Sequence, residues 1–343
     1  MAGVVPALKV GSRIGGGHFG EVFEGVDGVH NIVAVKVIKR TPGQDDAEWL
    51  AYKTGFLSEA QHLSKARHAN VVEVYHIQEA ADGESIQLCM ALCPGGSLQA
   101  KYESGPSLLS DVRKIGTEVA LGLEALHERG MLHRDIKPGN ILLNSAGVAQ
   151  LGDFGLVTDN LILGYGSQAG YSDHIAHEVW HGKGTSRKSD IWALGMTLYR
   201  LLHGKDWYER SPAPRTVVVH GNFVDRLEWL PHIPKPWRRV IRKMMSDDPN
   251  CRYQSAGQVL SALGKMPTPA WSTTVLRDAV RWEKKSASRT KVVLWKQHPK
   301  NRHEWSAWSE PLAGAGRVKT LDGSKKLISK KEAINQLAAF LGK

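Results

Sequence analysis

The sequence predicts an α+β protein in three parts: a strand-rich stretch over residues 8–93, a mostly helical one over 94–264, and a small basic α+β module at the end. Three observations carry this. Runs rich in β-branched residues, separated by Gly-rich turns, fill residues 8–40 and return before residue 93. Long amphipathic runs take over after the break at "CPGGS", residues 93–97. The charge is unevenly spread: of 45 Lys+Arg and 34 Asp+Glu, residues 265–343 hold 17 and 6. The tail therefore carries the whole net charge of +11, and the first 264 residues balance at 28 of each sign.

Taken in order, "LKVGSRIG", "EVFEGV" and "NIVAVKVIK" predict three strands. Residues 44–66 predict a helix, because Trp49, Leu50, Phe56, Leu57, Ala60 and Leu63 recur at helical spacing behind the Pro42-Gly43 punctuation. "NVVEVYHI" and "SIQLCMAL" predict two more strands, with "EAADGE" as the turn. "LLSDVRKIGTEVALGLEALHERG" and "SDIWALGMTLYRLLHG" predict long helices that stop at Gly130 and Gly204. "PWRRVIRKMMSDDP" and "SAGQVLSALGK" follow as helices, and "KMPTPAWS" marks a boundary. The tail divides into a linker and helix over 265–289 ("WSTTVLRDAVRWEKK") and a module over 290–343. That module has strands "TKVVLWKQ" and "HEWSAWSE" and a final helix capped by Ser329, with Glu332 at the third position.

A length of 343 residues suits about two domains. No run of about 18 apolar residues predicts a membrane span. The opening "MAGVVPALKVGSR" lacks the layout of a signal peptide. Three cysteines, Cys89, Cys93 and Cys251, form no metal-ligand pattern and read as small buried hydrophobes. A reducing, cytoplasmic setting is the expectation.

Four short motifs carry chemistry. "GGGHFGEV", residues 15–22, places Gly15, Gly17 and Gly20 between two strands, where backbone N–H groups approach phosphate oxygens with no Cβ in the way. A dinucleotide-binding reading needs a helix directly after the glycines, and "EVFEGV" is a strand. "VAVK" ends in Lys36, a cation for phosphates, and helical Glu59 lies 23 residues on as its ion-pair partner. "HRDIKPGN", residues 133–140, packs two cations, a carboxylate and an amide into one loop, which is not core composition. "DFG" places Asp153 18 residues after Asp135. Hard cations such as Mg2+ take oxygen ligands, which suits Asn140 and Asp153 and frees Asp135 to accept a proton from a hydroxyl.

Together these motifs resemble the signature set of the eukaryotic-like (Hanks-type) serine/threonine protein kinases, in order and spacing, across residues 8–264. The resemblance implies a bilobal protein-kinase fold with ATP in the cleft. Ile14, Gly15, Gly17 and Gly20 would cover the nucleotide, with Val22 and Ala34 against adenine. Lys36, aimed by Glu59 (Glu48 is the second choice), would hold the phosphates. Met90 would be the gatekeeper and Ala91 to Cys93 the hinge. Asp135 would be the catalytic base, Lys137 would neutralise the transferred phosphoryl, and Asn140 and Asp153 would bind Mg2+. Leu63, His133 and Phe154 would stack as a spine. Lys137 two residues after the base favours Ser/Thr over Tyr acceptors, so protein substrates phosphorylated on Ser or Thr are implied. "SDIWALG" would place Asp190 beneath the catalytic loop, and Arg252 would pair with Glu178.

The chain departs from the family where "GTPxYxAPE" reads "GYSDHIAHE". Tyr171 replaces a Thr and His177 a Pro, so the substrate platform differs. Arg134 implies an activation-loop phosphosite, for which Thr158, Ser167 and Ser172 are the candidates. His174 and His177 are too few for zinc and read as packed or surface residues.

The tail holds Trp271, Trp282, Trp295, Trp305 and Trp308, five of the chain's eleven tryptophans. Basic charge among aromatics suits a protein-docking or autoregulatory module, a stabilising appendage, or, less strongly, a nucleic-acid surface. The alternative to an active kinase is a catalytically weak kinase-fold scaffold whose basic tail docks a partner.

Overall fold

The computed structural model describes residues 8–17, 20–64, 67–153, 172–210, 214–312 and 316–342. The side chains of Gly17, residues 58–64, Ser172 and residues 214–216 also lie outside the description.

The first part is one antiparallel sheet. Strands β1 (Lys9–Gly17), β2 (Gly20–Asp27), β3 (Asn31–Lys39), β4 (Val74–Glu79) and β5 (Ser85–Ala91) run in the order β1-β2-β3-β5-β4, and helix α1 (Asp46–Ser64) connects β3 to β4. Alternation on β3 sorts the faces. Val33, Val35 and Val37 form an outer cluster with Cys89. Ala34 and Lys36 point the other way, with Ala34 opposite Met90 and Lys36 opposite Val22. Register alone thus gathers the predicted nucleotide-contact residues on one face. Gly20 is required by the fold itself: its φ is +134°, and a Cβ there would meet the Val37 carbonyl oxygen at 2.5 Å.

The second part is helical. Its members are α2 (Leu98–Glu103), α3 (Leu109–Glu128), α4 (His177–Trp180), α5 (Arg187–His203), α6 (Lys205–Tyr208), α7 (Pro214–His220), α8 (Lys235–Met244) and α9 (Ala256–Leu263). A two-stranded ribbon, β6 (Ile141–Leu143) and β7 (Ala149–Leu151), belongs to this part, and its Leu151 bridges to Val71. Helix α5 is the buried axis; Ser186 and Ser189 close its first turn with reciprocal hydrogen bonds.

The tail corrects one expectation. Residues 271–285 are not a helix but a hairpin of β8 (Ser272–Val275) and β9 (Ala279–Lys285). Val280 and Trp282 alternate inward against Arg281 and Glu283, a period of two, and Leu276 N–H closes the turn on the Ala279 carbonyl at 2.8 Å. The apolar residues at 275, 279 and 282 fit a helical period by coincidence. With β10 (Arg289–His298), β11 (Arg302–Pro311), β12 (Lys319–Gly323) and β13 (Ile328–Ser329), these strands form a six-stranded sheet in the order β12-β11-β10-β9-β8, with β13 beside β11. The module's sheet therefore begins at residue 272 rather than about 290. Helix α10 (Lys330–Leu341) closes it, and Ser329 Oγ accepts the Glu332 N–H as expected.

The tryptophans explain how the module is held. Trp271, Trp282, Trp295 and Trp305 are buried. Trp295 meets Trp207 of α6 at 6.3 Å, and Trp282 Nε1 donates to His232 Nδ1 at 3.0 Å. Thr273 Oγ1 lies 3.3 Å from His232 Nε2, which fixes the ring as a neutral donor there. Lys330 pairs with Glu228 at 2.8 Å. The aromatic surface that a base-stacking reading needs is thus mostly spent on the module's own core and on the helical part.

His203 and His232 give this arrangement a pH dependence. Burial drives both imidazoles down from 6.5 to about 3, with Arg238 adding repulsion of the charged forms. Between these values the unfolded chain binds more protons, so stability is full above pH 6.5 and falls as the pH drops towards 3. The expected slope is about 1.4 kcal/mol per pH unit for each histidine. Urea unfolding at pH 7 and pH 5 checks this, and His232→Gln should remove part of the difference. Equal stability at both pH values would contradict it.

Candidate active site

The predicted residues converge from distant parts of the chain. Lys36 is buried, and its Nζ bonds Asp153 Oδ1, 117 residues away. Asp153 is held in the left-handed region at φ 49°. Asp135 and Asn140 are both buried. Asp135 Oδ2 accepts from Lys137 Nζ at 2.8 Å and from Asn140 Nδ2 at 2.7 Å, and Asn140 Nδ2 also reaches the Asp135 carbonyl at 2.9 Å. The short turn Pro138–Asn140 presents Asn140, whose carbonyl accepts the Gly152 N–H at 2.9 Å. That bond ties the loop over residues 133–140 to the backbone just ahead of Asp153.

Beneath the loop, Asp190 acts as a clamp. Its Oδ2 accepts the His133 N–H at 3.0 Å and its Oδ1 the Arg134 N–H at 2.8 Å, which holds Arg134 at φ 68°. His127 Nε2 bonds the same Oδ2 at 2.9 Å. His127 was not anticipated; lying ahead of "HRD" on α3, it carries no motif of its own. His133 is buried and held below the usual imidazole range by burial. Its Nδ1 accepts the Asp135 N–H at 3.3 Å, so Nε2 carries the proton and donates to the Gly152 carbonyl at 3.2 Å. Asp190→Asn must set an amide NH2 against one of these donors. Loss of about 1–3 kcal/mol of stability and of most transferase activity is expected, checked by thermal melts and turnover.

The residues expected to meet a nucleotide lie on one face of the sheet. Ala34 is buried, Met90 and Val22 are half-buried, and Ile14 is half-exposed at the rim. In the segment expected to be the hinge, the Ala91 N–H is spent on the Glu73 carbonyl at 2.9 Å, and the Cys93 carbonyl accepts from Gly96 at 3.1 Å. The Cys93 thiol is pushed up to about 11 by burial. Cys251 is exposed, contrary to its reading as a buried hydrophobe.

Several expectations fall outside the described residues: the side chains of Glu59 and Leu63, Phe154, Thr158, Ser167 and Tyr171, and the side chain of Ser172. His177, in place of proline, places Nδ1 2.7 Å from the Val218 carbonyl and stands edge-on to His181. His174 is a packed residue whose Nε2 accepts from Arg200 Nη1 at 2.8 Å. Glu178 and Arg252 form a buried two-point ion pair at 2.6 and 2.7 Å.

The family model for the protein kinase domain matches residues 8–262, roughly three-quarters of the chain. This chain belongs to the protein kinase family. Among curated relatives, the chain is 38% identical over 206 residues to Sporulation-specific protein 1 of Saccharomyces cerevisiae, covering 57% of this chain and 40% of that one. It is 27% identical over 265 residues to a probable serine/threonine-protein kinase of Clostridium acetobutylicum, covering 75% and 39%. It is 28% identical over 250 residues to serine/threonine-protein kinase PrkC of Bacillus subtilis, covering 71% and 38%. The matched kinase stretch thus spans about two-fifths of the length of these relatives. Among the described residues, no helix of this kinase-family chain is long and apolar enough to cross a membrane.

Proposed function

We propose that this chain is an ATP-dependent serine/threonine protein kinase that transfers the γ-phosphoryl group to Ser or Thr hydroxyls of protein substrates. The observation that carries the reading is the convergence of Asp135, Lys137 and Asn140 in one hydrogen-bonded cluster, with Asp153 tied to Lys36 of the opposite lobe.

Asp135 is the base in this reading, and its carboxylate orients the acceptor hydroxyl and takes its proton. Lys137 neutralises the moving phosphoryl group in this reading, which its position 2.8 Å from Asp135 Oδ2 supports. Lys36 holds the phosphates opposite Val22, which lines the adenine pocket with Ala34 and Met90. Since the Ala91 amide is engaged within the protein, the Cys93 N–H is the hinge donor to the nucleotide base. The donor set of Asn140 and Asp153 is one amide and one carboxylate oxygen, which fits a hard divalent cation. Magnesium bound there supplies charge neutralisation of the phosphates. The basic tail serves this kinase as a protein-docking module.

The test is incubation of the purified chain with labelled ATP and magnesium, alone and with cell lysate, followed by phosphosite mapping. Label on Ser and Thr is expected. Label on Tyr, or none beyond a no-enzyme control, would overturn the reading.

A further inference from the structure

The outer face of the first sheet carries a group of side chains that the phosphoryl-transfer chemistry does not use. Asp27 ends β2, His76 lies on β4 and Cys89 on β5, with His76 and Cys89 cross-strand partners. One carboxylate oxygen of Asp27, one imidazole nitrogen of His76 and Cys89 Sγ all lie within 4.8 Å of one another. Asp27 and Cys89 are buried, while the His76 side chain is 35% exposed and opens the cluster to solvent.

We propose that Asp27, His76 and Cys89 form a zinc site that staples β2, β4 and β5. The ligand types are those zinc takes: thiolate, imidazole and carboxylate, each from a different strand. The carboxylate is already oriented. Its Oδ2 accepts the Val29 and His30 backbone N–H groups at 3.0 and 2.9 Å and lies 2.8 Å from His30 Nδ1. These bonds hold one oxygen and turn Oδ1 towards His76 Nε2, 3.0 Å away. His30 is itself fixed by stacking on Tyr75 at 3.8 Å. A tetrahedral ion needs metal–ligand lengths of about 2.0–2.3 Å, so a slight opening of the Asp27–His76 pair admits it, with water as the fourth ligand.

On binding, the Cys89 S–H bond breaks, an S–Zn bond forms, and the proton leaves to solvent. His76 binds through Nε2 as a neutral imidazole, with its one ring proton on Nδ1. Nothing is oxidised or reduced. The site lies on the reverse of the sheet from Ala34 and Lys36, so it would stiffen the lobe that bears the glycine loop without touching the nucleotide.

The test uses the full chain, stripped with a chelator and titrated with Co(II), then with Zn(II). One equivalent of Co(II) should give a thiolate-to-metal charge-transfer band in the near ultraviolet. Cys89→Ala should lose the band and Cys251→Ser should keep it. Zn(II) at about 100 times its dissociation constant should raise Tm by roughly 5 °C or more, and His76→Gln, at a part-exposed position, should abolish that shift. The His76 measurement answers the question even if Cys89→Ala does not fold. Absence of the band in the parent chain, its persistence in Cys89→Ala, or an unchanged Zn(II) shift in His76→Gln would overturn the proposal.

Discussion

Asp135→Asn is expected to lower kcat by about 10²-fold or more, with little change in nucleotide affinity. The amide keeps the shape of the carboxylate but cannot take the acceptor's proton. Asp135 sits in a tight cluster, accepting from both Lys137 and Asn140. In the variant the side-chain oxygen can still accept one of these bonds, so the loop should hold and the loss should fall on chemistry. Single-turnover phosphorylation, paired with a nucleotide-binding isotherm, separates the two. Turnover equal to the parent would remove Asp135 from the role of base. A matching loss of nucleotide affinity would instead mean that the loop had collapsed.

Arg252→Met is expected to cost about 3–5 kcal/mol of stability, because it leaves a buried carboxylate without its cation. The Arg252 side chain is fully buried and that of Glu178 is 7% exposed. Arg252 also donates to the carbonyls of Ser246 at 2.6 Å, Lys188 at 3.0 Å and Asp247 at 3.3 Å, so one substitution takes the donor from a carboxylate and three carbonyls. A fall in Tm of several degrees should follow. The double variant Arg252→Met/Glu178→Gln should recover part of it, since the stranded charge is then gone. A single variant that melts with the parent would show that this pair adds nothing to the lobe.

The stability of this pair is separable from the chemistry of Asp135, which lies on a different element. It does bear on the region expected to form the substrate platform, because Glu178 follows His177, the first residue of α4. There the sequence announced its departure from the family but not its consequence: His177 anchors α4 to the Val218 carbonyl, a contact proline cannot make.

Local chemistry made much of the chain legible in advance. The five strands and α1, the long helices α3 and α5, and the Ser329 cap are fixed by periodicity, Gly and Pro punctuation and capping residues, all of which act over a few positions. The kinase motifs were legible for the same reason, as each needs several chemical types at short spacing. The hairpin at residues 272–285 was not, because a short apolar run supports a period of two or of 3.6 until a neighbour chooses. Strand β10 pairs with β9, and the large lobe offers His232 to Trp282. Those partners decided it.

By itself the sequence determined the family and the order of the lobes, and it named the residues proposed for phosphoryl transfer. Tertiary structure decided which charges meet: Lys36 with Asp153, His127 with Asp190, and Asp27 with His76 beside Cys89. It also decided that four of the basic tail's five tryptophans are buried. Such pairings join residues dozens of positions apart, and burial selects among many equivalent charges only once the chain has brought them together.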